Sequence, residues 1–411
     1  MQMKNGWTSS QFRIWRVCFG LYLLSHFLIL LPWGPELFSS RGALPHGNMS
    51  PLFHVFPNVF LLSDQPLFVQ GCLLIAAMSS GFLMIGRLDR GMAILLWYLW
   101  ACLYDRNPLI GNPSLPFVGW MLLAYALIPS IPKRKKIPDG EDNHWKMPGD
   151  IFAAAWIVMA LAYSYSGFVK LGSPSWIDGS ALRHLLHNPL ARDTALRTVL
   201  LGLPAWWLKI ATWSALALEL SFAPFALVRR ARPILWGAML GMHLGLLALV
   251  NFTDLTLGML LLHFFAFDPA WIQAPRPAGQ TIFYDGNCGL CHGFVRFVVN
   301  EDLSARPFSF APLQGEQIKR TLSEEQLATL PDSVVIVDET GKILTRSAAV
   351  LYVLRRLGGL WYVSALFLHA VPRAIRDLAY DAVAAVRIKF LGTAAEACPM
   401  VPAAMRTRFL Q

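Results

Sequence analysis

The sequence predicts a multispan α-helical membrane domain followed by a smaller C-terminal α/β domain. Of the 411 residues, 55% are hydrophobic and only 15% are charged, whereas soluble proteins carry about a quarter charged residues. The apolar residues concentrate in long uncharged segments before residue 268. After that point a β-rich run leads into a Cys-x-x-Cys motif and an apolar helical stretch. These observations place about eight spans in the first part and an α/β fold in the second.

Five segments contain no Asp, Glu, Lys or Arg, and each is close to the roughly 20 residues that a helix needs to cross the bilayer core. They are Val17–Pro35, Pro66–Gly86, Asn107–Pro132, Ile151–Val169 and Pro233–Thr253. Three weaker segments are Gly91–Tyr104, Ile210–Val228 and Leu255–Phe267. Together they predict eight membrane spans.

The formal net charge of +10 does not indicate a nucleic-acid partner, because the cations cluster between the spans. Alternate connections carry Lys4, Arg13 and Arg16, then Arg87 and Arg90, then Lys133–Lys136, then Arg229, Arg230 and Arg232. Cytoplasmic loops carry such an excess. We therefore expect an integral protein of a bacterial-type inner membrane, with the bilayer as a partner and both termini cytoplasmic. The first span lacks a small-residue cleavage site and is expected to anchor the chain.

The predicted domains are a membrane domain over 1–268, a Pro-rich linker over 269–279 and a soluble domain over 280–411. The soluble domain begins with a strand at Thr281–Tyr284, a helix from Cys288 and a strand at about Arg306–Phe310. A helix at about Glu316–Leu327, a hairpin of Ser333–Asp338 and Lys342–Thr345, and helices at Ser347–Leu357 and about Arg373–Phe390 follow. This order is thioredoxin-like. A proline usually precedes the third strand of such folds, and here Ser333 occupies that place.

Cys288 and Cys291 are the candidate catalytic pair. A cysteine at a helix start lies among free backbone N–H groups and the positive end of the helix dipole, which stabilise a thiolate. A second thiol one turn later suits dithiol–disulfide exchange. We expect Cys288, as an exposed thiol, to attack a disulfide, and Cys291 to resolve the mixed disulfide. A thiol-containing protein or peptide is the expected partner. Tyr284 and Asp285 directly precede the motif as supporting residues.

Other interpretations of these residues stay open. Cys288, Cys291 and His292 also satisfy Cys-x-x-Cys-His, the pattern of c-type haem attachment, although the expected cytoplasmic location disfavours it. Zinc needs four ligands, and no second Cys/His pair lies nearby, so no metal is expected. Asp285 is expected to be a turn or N-cap residue. The alternative is that its carboxylate accepts the proton of a buried thiol.

The soluble domain resembles the DCC family of thiol-disulfide oxidoreductases. The resemblance rests on Tyr284-Asp285-Gly286-x-Cys288-x-x-Cys291, Arg346-Ser347-x-Ala349, Pro372-x-x-Ile375-Arg376-Asp377-x-x-Tyr380 and Cys398. It implies a redox domain with a Cys288–Cys291 disulfide as its redox-active group.

Ionisable residues inside a bilayer are costly and are therefore functional candidates. Four stand out in the predicted spans: Lys170, Glu219, His243 and His263. A lysine at a span end often only extends to the headgroups, and a lone histidine is more often a packed helix residue. Glu219 is expected to be buried and paired, with His243 or Lys209 as candidate partners.

Residues 8–268 resemble the HTTM superfamily, which contains the vitamin K-dependent γ-glutamyl carboxylase. The resemblance rests on the segments around Lys170 (165–171) and Trp176 (176–182), with further matches at Glu219 and His243. It implies that Lys170 is a base in a pocket for a small lipophilic ligand, a quinone or other lipid. Where the carboxylase has Asn-His, this chain has Asn112-Pro113, so carboxylation of protein glutamates is not expected.

The sequence thus favours a membrane-bound thiol-disulfide oxidoreductase with a carboxylase-like membrane pocket. One alternative is an enzyme that uses Lys170 as a base on a lipophilic substrate, with a regulatory thiol domain. The other is a non-catalytic membrane scaffold or a maturation factor for a peptide.

Overall fold

The structure, a computed structural model, describes residues 3–47, 49–53, 55–131, 145–274, 279–302, 304, 306–391 and 403–410. Lys133–Lys136, residues 275–278 of the expected linker and Cys398 lie outside the described residues. The chain forms two compact units. The first comprises Met1–Lys4, Arg13–Ser130 and Pro148–Phe267, and the second Asn5–Phe12, Ile131–Met147 and Asp268–Gln411.

The first unit is helical. Its helices are α1 (Ser9–Leu30), α2 (Gly34–Phe38), α3 (Pro66–Ile85), α4 (Asp89–Arg106), α5 (Leu115–Leu127), α6 (Gly149–Lys170), α7 (Pro174–Ile177), α8 (Ala181–His187), α9 (Ala195–Leu201), α10 (Ala205–Ala226), α11 (Arg232–Leu249) and α12 (Thr253–Ala266). Each of the eight apolar segments that the sequence singles out overlaps one of the longer helices.

Four of these helices, α1, α3, α6 and α11, are long and apolar enough to cross a bilayer. The pair α9 and α10, bent by 108°, adds a fifth span if it is counted as one. Helix α5 has 13 residues and is therefore only about 20 Å long, shorter than a bilayer core of about 30 Å. Several helices are thus compatible with membrane insertion, and the count of eight spans stays a prediction.

Buried indole rings tie the long helices of the first unit together. The Trp15 ring packs 4.8 Å from that of Phe265, and its Nε1–H donates to the Leu261 carbonyl at 3.1 Å. The Trp156 Nε1–H donates to the Ala266 carbonyl at 3.0 Å. Because a buried indole N–H needs an acceptor, these bonds fix α1 and α6 against α12.

The second unit is an α/β domain. Its elements are β1 (Thr281–Tyr284), α13 (Gly289–Glu301), β2 (Ser309–Pro312), α14 (Glu316–Thr321), α15 (Glu324–Ala328), β3 (Val335–Val337), β4 (Ile343–Thr345), α16 (Arg346–Leu357), α17 (Gly359–Ala370) and α18 (Arg373–Leu391). The helix expected at Glu316–Leu327 is two helices, because Ser323 forms a capping box that starts α15. Helix α17 was not predicted.

The four strands form one sheet in the order β2-β1-β3-β4. Strand β1 pairs in parallel with β2 and antiparallel with β3, and β3 and β4 form the predicted hairpin. Successive residues of a strand face opposite sides of the sheet. Ile282 accordingly packs in the core that contains Cys288 and Cys291, and Phe283 packs with Ile318 on the other face. The two thiols thus lie at the start of α13, in the core between this helix and the sheet.

Candidate functional site

The turn after β1 presents the first cysteine to a helix N-terminus. Asp285 Oδ1 accepts hydrogen bonds from the Asn287 N–H and from Gln314 Nε2, both at 3.0 Å. This side-chain turn redirects the backbone, and Cys288 becomes the N-cap of α13 in an extended conformation. The structure therefore shows Asp285 in a turn, the preferred interpretation, and Cys288 at the predicted helix start.

The thiol of Cys288 points into the domain. Its side-chain sulfur accepts a hydrogen bond from the Cys291 N–H at 3.5 Å, and only 1% of Cys288 and 5% of Cys291 is exposed. Both share a core with Tyr284 and Val334. The expectation of an exposed Cys288 was wrong, because the N-cap geometry turns this sulfur towards the first turn of α13 and the core.

His292 is hydrogen-bonded to the same turn. Its Nε2 lies 2.9 Å from the Gly286 carbonyl, and since a carbonyl only accepts, that nitrogen carries the hydrogen. The ring also packs edge-on against Tyr284 at 5.4 Å. The haem interpretation needs this histidine as a free ligand, which the observed bond does not provide. In the described part of the chain, no three His, Cys, Asp or Glu side chains are grouped as for a metal ion.

A polar network joins the residues directly before β3 to helices α16 and α18. The Val334 N–H donates to the Tyr380 hydroxyl at 3.0 Å, and the Arg346 N–H donates to the Ser333 hydroxyl at 3.2 Å. Arg346 has a positive φ of 52°, which is unusual for a residue with a side chain. Ser333, which stands where related folds place a proline, thus fixes the start of α16 beside β3.

Asp377 of α18 anchors the start of α16. It accepts hydrogen bonds from the Ser347 hydroxyl and, at 3.3 Å, from the Ser347 N–H. Arg373 Nε donates to its other oxygen at 3.2 Å. Burial opposes ionisation of Asp377, but these donors outweigh it and hold its pKa below the ordinary value. Three separated motifs of the sequence, around 288, 346 and 377, therefore meet in one domain.

Comparison with known proteins agrees with this geometry. A family model described as DCC1-like thiol-disulfide oxidoreductase matches residues 282–393. An uncharacterised protein of Bacillus subtilis strain 168, YuxK, is 34% identical over 131 residues, which are 32% of this chain and 93% of that protein. The chain belongs to the DCC1-like family.

This membership covers the second unit. A chloroplastic DCC family protein of Arabidopsis thaliana is 32% identical over 111 residues, which are 27% of this chain and 64% of that protein. No solved structure matches the chain. The predicted DCC resemblance is thus confirmed for the C-terminal domain, which is that of a thiol-disulfide oxidoreductase family.

In the first unit, Lys170 and Glu219 form an ion pair. Lys170 Nζ donates to both carboxylate oxygens of Glu219, with 24% of the lysine side chain and 4% of the glutamate side chain exposed. The ammonium also lies 4.5 Å from the centre of the Trp176 ring. Lys170 therefore points to a protein partner. The expectation that His243 or Lys209 pairs with Glu219 was wrong.

A glycine permits this pairing. A Cβ on Gly167 would lie 2.9 Å from the Leu220 nitrogen and 3.1 Å from the Glu219 Cβ, distances that van der Waals contact does not allow without movement. Helices α6 and α10 therefore approach closely at Gly167. Lys170, one turn later on α6, reaches Glu219 across this contact.

His243 belongs to a second buried group, with Tyr163 and His263. The Tyr163 hydroxyl lies 2.8 Å from His243 Nε2 and 3.3 Å from His263 Nε2. His263 Nδ1 must donate to the Met259 carbonyl at 2.9 Å, so its Nε2 is an acceptor. The bonds are satisfied together if His243 Nε2–H donates to Tyr163 and Tyr163 donates to His263. The bare Nδ1 of His243 is then buried without a hydrogen-bond partner among the residues that the structure describes.

Sequence reasoning missed a further polar group of the first unit. His26 Nδ1 lies 2.7 Å from Asp254 Oδ1, and His26 Nε2 lies 2.8 Å from the Tyr104 hydroxyl. Tyr22 and Asn112 donate to the Asp254 carboxylate at 3.0 and 2.8 Å. The available signal was His26 in an uncharged predicted span, which the same cost argument as for His243 would have selected.

Proposed function

We propose that the protein is a membrane-bound thiol-disulfide oxidoreductase whose redox centre is the Cys288–Cys291 pair. The observation that carries this proposal is the N-cap position of Cys288, where the Cys291 N–H donates to its sulfur. A helix start with a backbone N–H directed at the sulfur is a setting in which redox-active cysteines occur. Membership of the DCC1-like family and the thioredoxin-like order of the strands support the same chemistry.

The reaction proceeds by two exchanges. The Cys288 thiolate attacks one sulfur of a substrate disulfide, so that a mixed disulfide forms and a substrate thiolate leaves. Cys291 then loses its proton and attacks the Cys288 sulfur, which releases the second substrate thiolate. The Cys288–Cys291 pair is oxidised and the substrate is reduced by two electrons. Because Cys288 is buried, the first exchange requires a local opening of the turn at 285–287.

Trapping the mixed disulfide tests this proposal. In Cys291→Ser the second exchange is impossible, so a disulfide between Cys288 and an added disulfide-containing peptide should accumulate. Cys72→Ser, which changes a buried cysteine of α3, serves as the control and should trap nothing. Accumulation through Cys291 in Cys288→Ser would reverse the two roles. Trapping by neither variant would exclude dithiol exchange at this pair.

The membrane placement is part of the proposal. The apolar lengths of α1, α3, α6 and α11 support insertion, and the alternating cations of the sequence support an inner-membrane protein with both termini cytoplasmic. An alkaline phosphatase fused after Gln411 should therefore be inactive, and a fused cytoplasmic reporter should be active. An active phosphatase fusion would overturn this topology.

A second candidate function concerns the Lys170–Glu219 pair, which with Trp176 supports a site for a small lipophilic ligand such as a quinone. In this proposal Glu219 takes the ammonium proton, and the neutral amine of Lys170 then acts as a base. Lys170→Arg should lose base catalysis as completely as Lys170→Ala, because a guanidinium stays protonated. Mass spectrometry of lipids extracted from the purified protein tests the ligand: a quinone in the wild type, reduced in Lys170→Ala, supports the site.

Full function in both the Lys170→Ala and Cys288→Ser variants would favour the non-catalytic scaffold. Loss in Lys170→Ala alone would favour lysine-base chemistry with a regulatory thiol domain. Loss in both supports an enzyme that uses both centres.

A further inference from the structure

We propose that the consecutive helices α17 and α18 form a second membrane-binding element, which lies on the surface of an anionic bilayer. This inference rests on the proposed membrane insertion of the first unit. It adds a lipid-binding surface to the thiol-disulfide oxidoreductase domain itself.

The first observation is where the second unit exposes large apolar side chains. Among its described residues, all that are more than about a third exposed lie between 366 and 386. They are Leu366, Phe367, Leu368, Val371, Ile375, Leu378, Val383 and Val386. Phe367 is 75% exposed and Leu378 is 71% exposed. Soluble domains rarely expose so many large apolar side chains within one short stretch unless the stretch binds something.

The helices show why this surface is free. Helix α18 turns its Asp377 and Tyr380 side towards α16 and β3. Ile375, Leu378 and Val386 recur at the spacing of a helix face and stay exposed. Helix α17 contains no Asp, Glu, Lys or Arg. Helix α18 therefore has one face that anchors it to the domain and another that is apolar.

Charge decides between possible occupants. Arg373 is 65% exposed at the start of α18, and His369 is exposed on α17. The acidic side chains of α18 are engaged within the domain: Asp377 with Ser347 and Arg373, and Asp381 with Arg346 at 3.1 Å. An apolar face with a cationic rim matches the interface of a membrane that contains anionic lipids.

The chain itself makes this occupant available. A domain joined to membrane-length helices meets a lipid surface at a high effective concentration. An interfacial helix buries its apolar face about 5–10 Å into the boundary between headgroups and acyl chains. In that position Phe367 and Leu378 contact acyl chains. The exposed part of Arg373, whose Nε is bonded to Asp377, contacts phosphates.

Photocrosslinking in nanodiscs tests the inference on the full chain. We would replace Phe367 with p-benzoylphenylalanine and irradiate the protein in discs of phosphatidylcholine and phosphatidylglycerol. The expected product, identified by mass spectrometry, is a lipid adduct at position 367. The same probe at Ala328, exposed on α15, is the matched control and should give little lipid adduct. A crosslink from position 367 to a second copy, to residues 392–402 or to the first unit would overturn the inference.

A variant that removes one positive charge provides a second test of the lipid contact. One cation near an anionic surface favours binding by about fivefold. Arg373→Gln should therefore lower the lipid-adduct yield at position 367 by up to about fivefold with phosphatidylglycerol, and leave it unchanged in pure phosphatidylcholine. Arg320→Gln, which changes an exposed cation of α14, should have no effect. Equal losses in both lipids would contradict the electrostatic argument. A chain that enters the discs but gives no lipid adduct overturns this inference alone, and a chain that does not enter them overturns the proposed insertion.

Discussion

The Lys170–Glu219 pair allows a quantitative test of the first unit. Glu219→Gln removes the charge that the ammonium faces, while the glutamate side chain is 4% exposed and the lysine side chain 24% exposed. Breaking a fully buried pair costs about 3–5 kcal/mol of unfolding free energy. Because part of the Lys170 side chain is exposed, we expect a smaller loss of about 2–3 kcal/mol.

The double variant separates the pair from its surroundings. Lys170→Met combined with Glu219→Gln leaves no unpaired charge, so it should be more stable than the sum of the two single losses predicts, by about 1–2 kcal/mol. Unfolding of the full chain in micelles titrated with sodium dodecyl sulfate measures each value. Lys209→Met, which removes an exposed lysine of α10, is the control and should change the stability by less than about 0.5 kcal/mol. Single losses that simply add would refute the pairing.

Two further predictions follow from local geometry. Gly167→Ala should lower the unfolding free energy by about 1–3 kcal/mol in the same titration, because its methyl group overlaps Leu220. The control Gly71→Ala, with open space around it, should be neutral or stabilising by up to about 1 kcal/mol. Equal effects of the two substitutions would contradict the close contact of α6 and α10. Asp377 has a lowered pKa, so its stabilising effect is complete above the unfolded value of about 3.9 and is lost as the pH falls through the folded pKa. Asp377→Asn should therefore cost stability at neutral pH and flatten the decline of the thermal midpoint on acidification, and an unchanged decline would show that other groups cause it.

Local sequence signals predicted much of the second unit. The run Thr281–Tyr284 forms β1, and Cys288 starts the following helix. Gly341, with φ of 81°, lies in the turn of the predicted hairpin. These features depend on neighbouring residues, such as the turn residue Asp285, and a single sequence carries that information.

The remaining features depend on packing between distant elements. At the N-cap the Cys288 sulfur faces the first turn of α13, and the packing of that turn against the sheet buries it. The sequence indicates the helix start but not this packing. Glu219 pairs with Lys170 because α6 and α10 meet at Gly167, a contact that the sequence does not reveal. Lys209 could have been excluded from the sequence: it lies ten residues before Glu219 on one helix, about 15 Å along the axis.

The central claim is that Cys288 and Cys291 form a reversible disulfide in the intact protein. The most direct measurement equilibrates the full chain, reconstituted in lipid, with glutathione buffers of graded potential and quantifies the oxidation of each cysteine by differential alkylation and mass spectrometry. The account predicts that Cys288 and Cys291 become oxidised together in one two-electron transition, which changes tenfold in ratio for about 30 mV, while Cys72 stays reduced. Retention of both thiols in the most oxidising buffer, or a disulfide from either one to another cysteine, would contradict it.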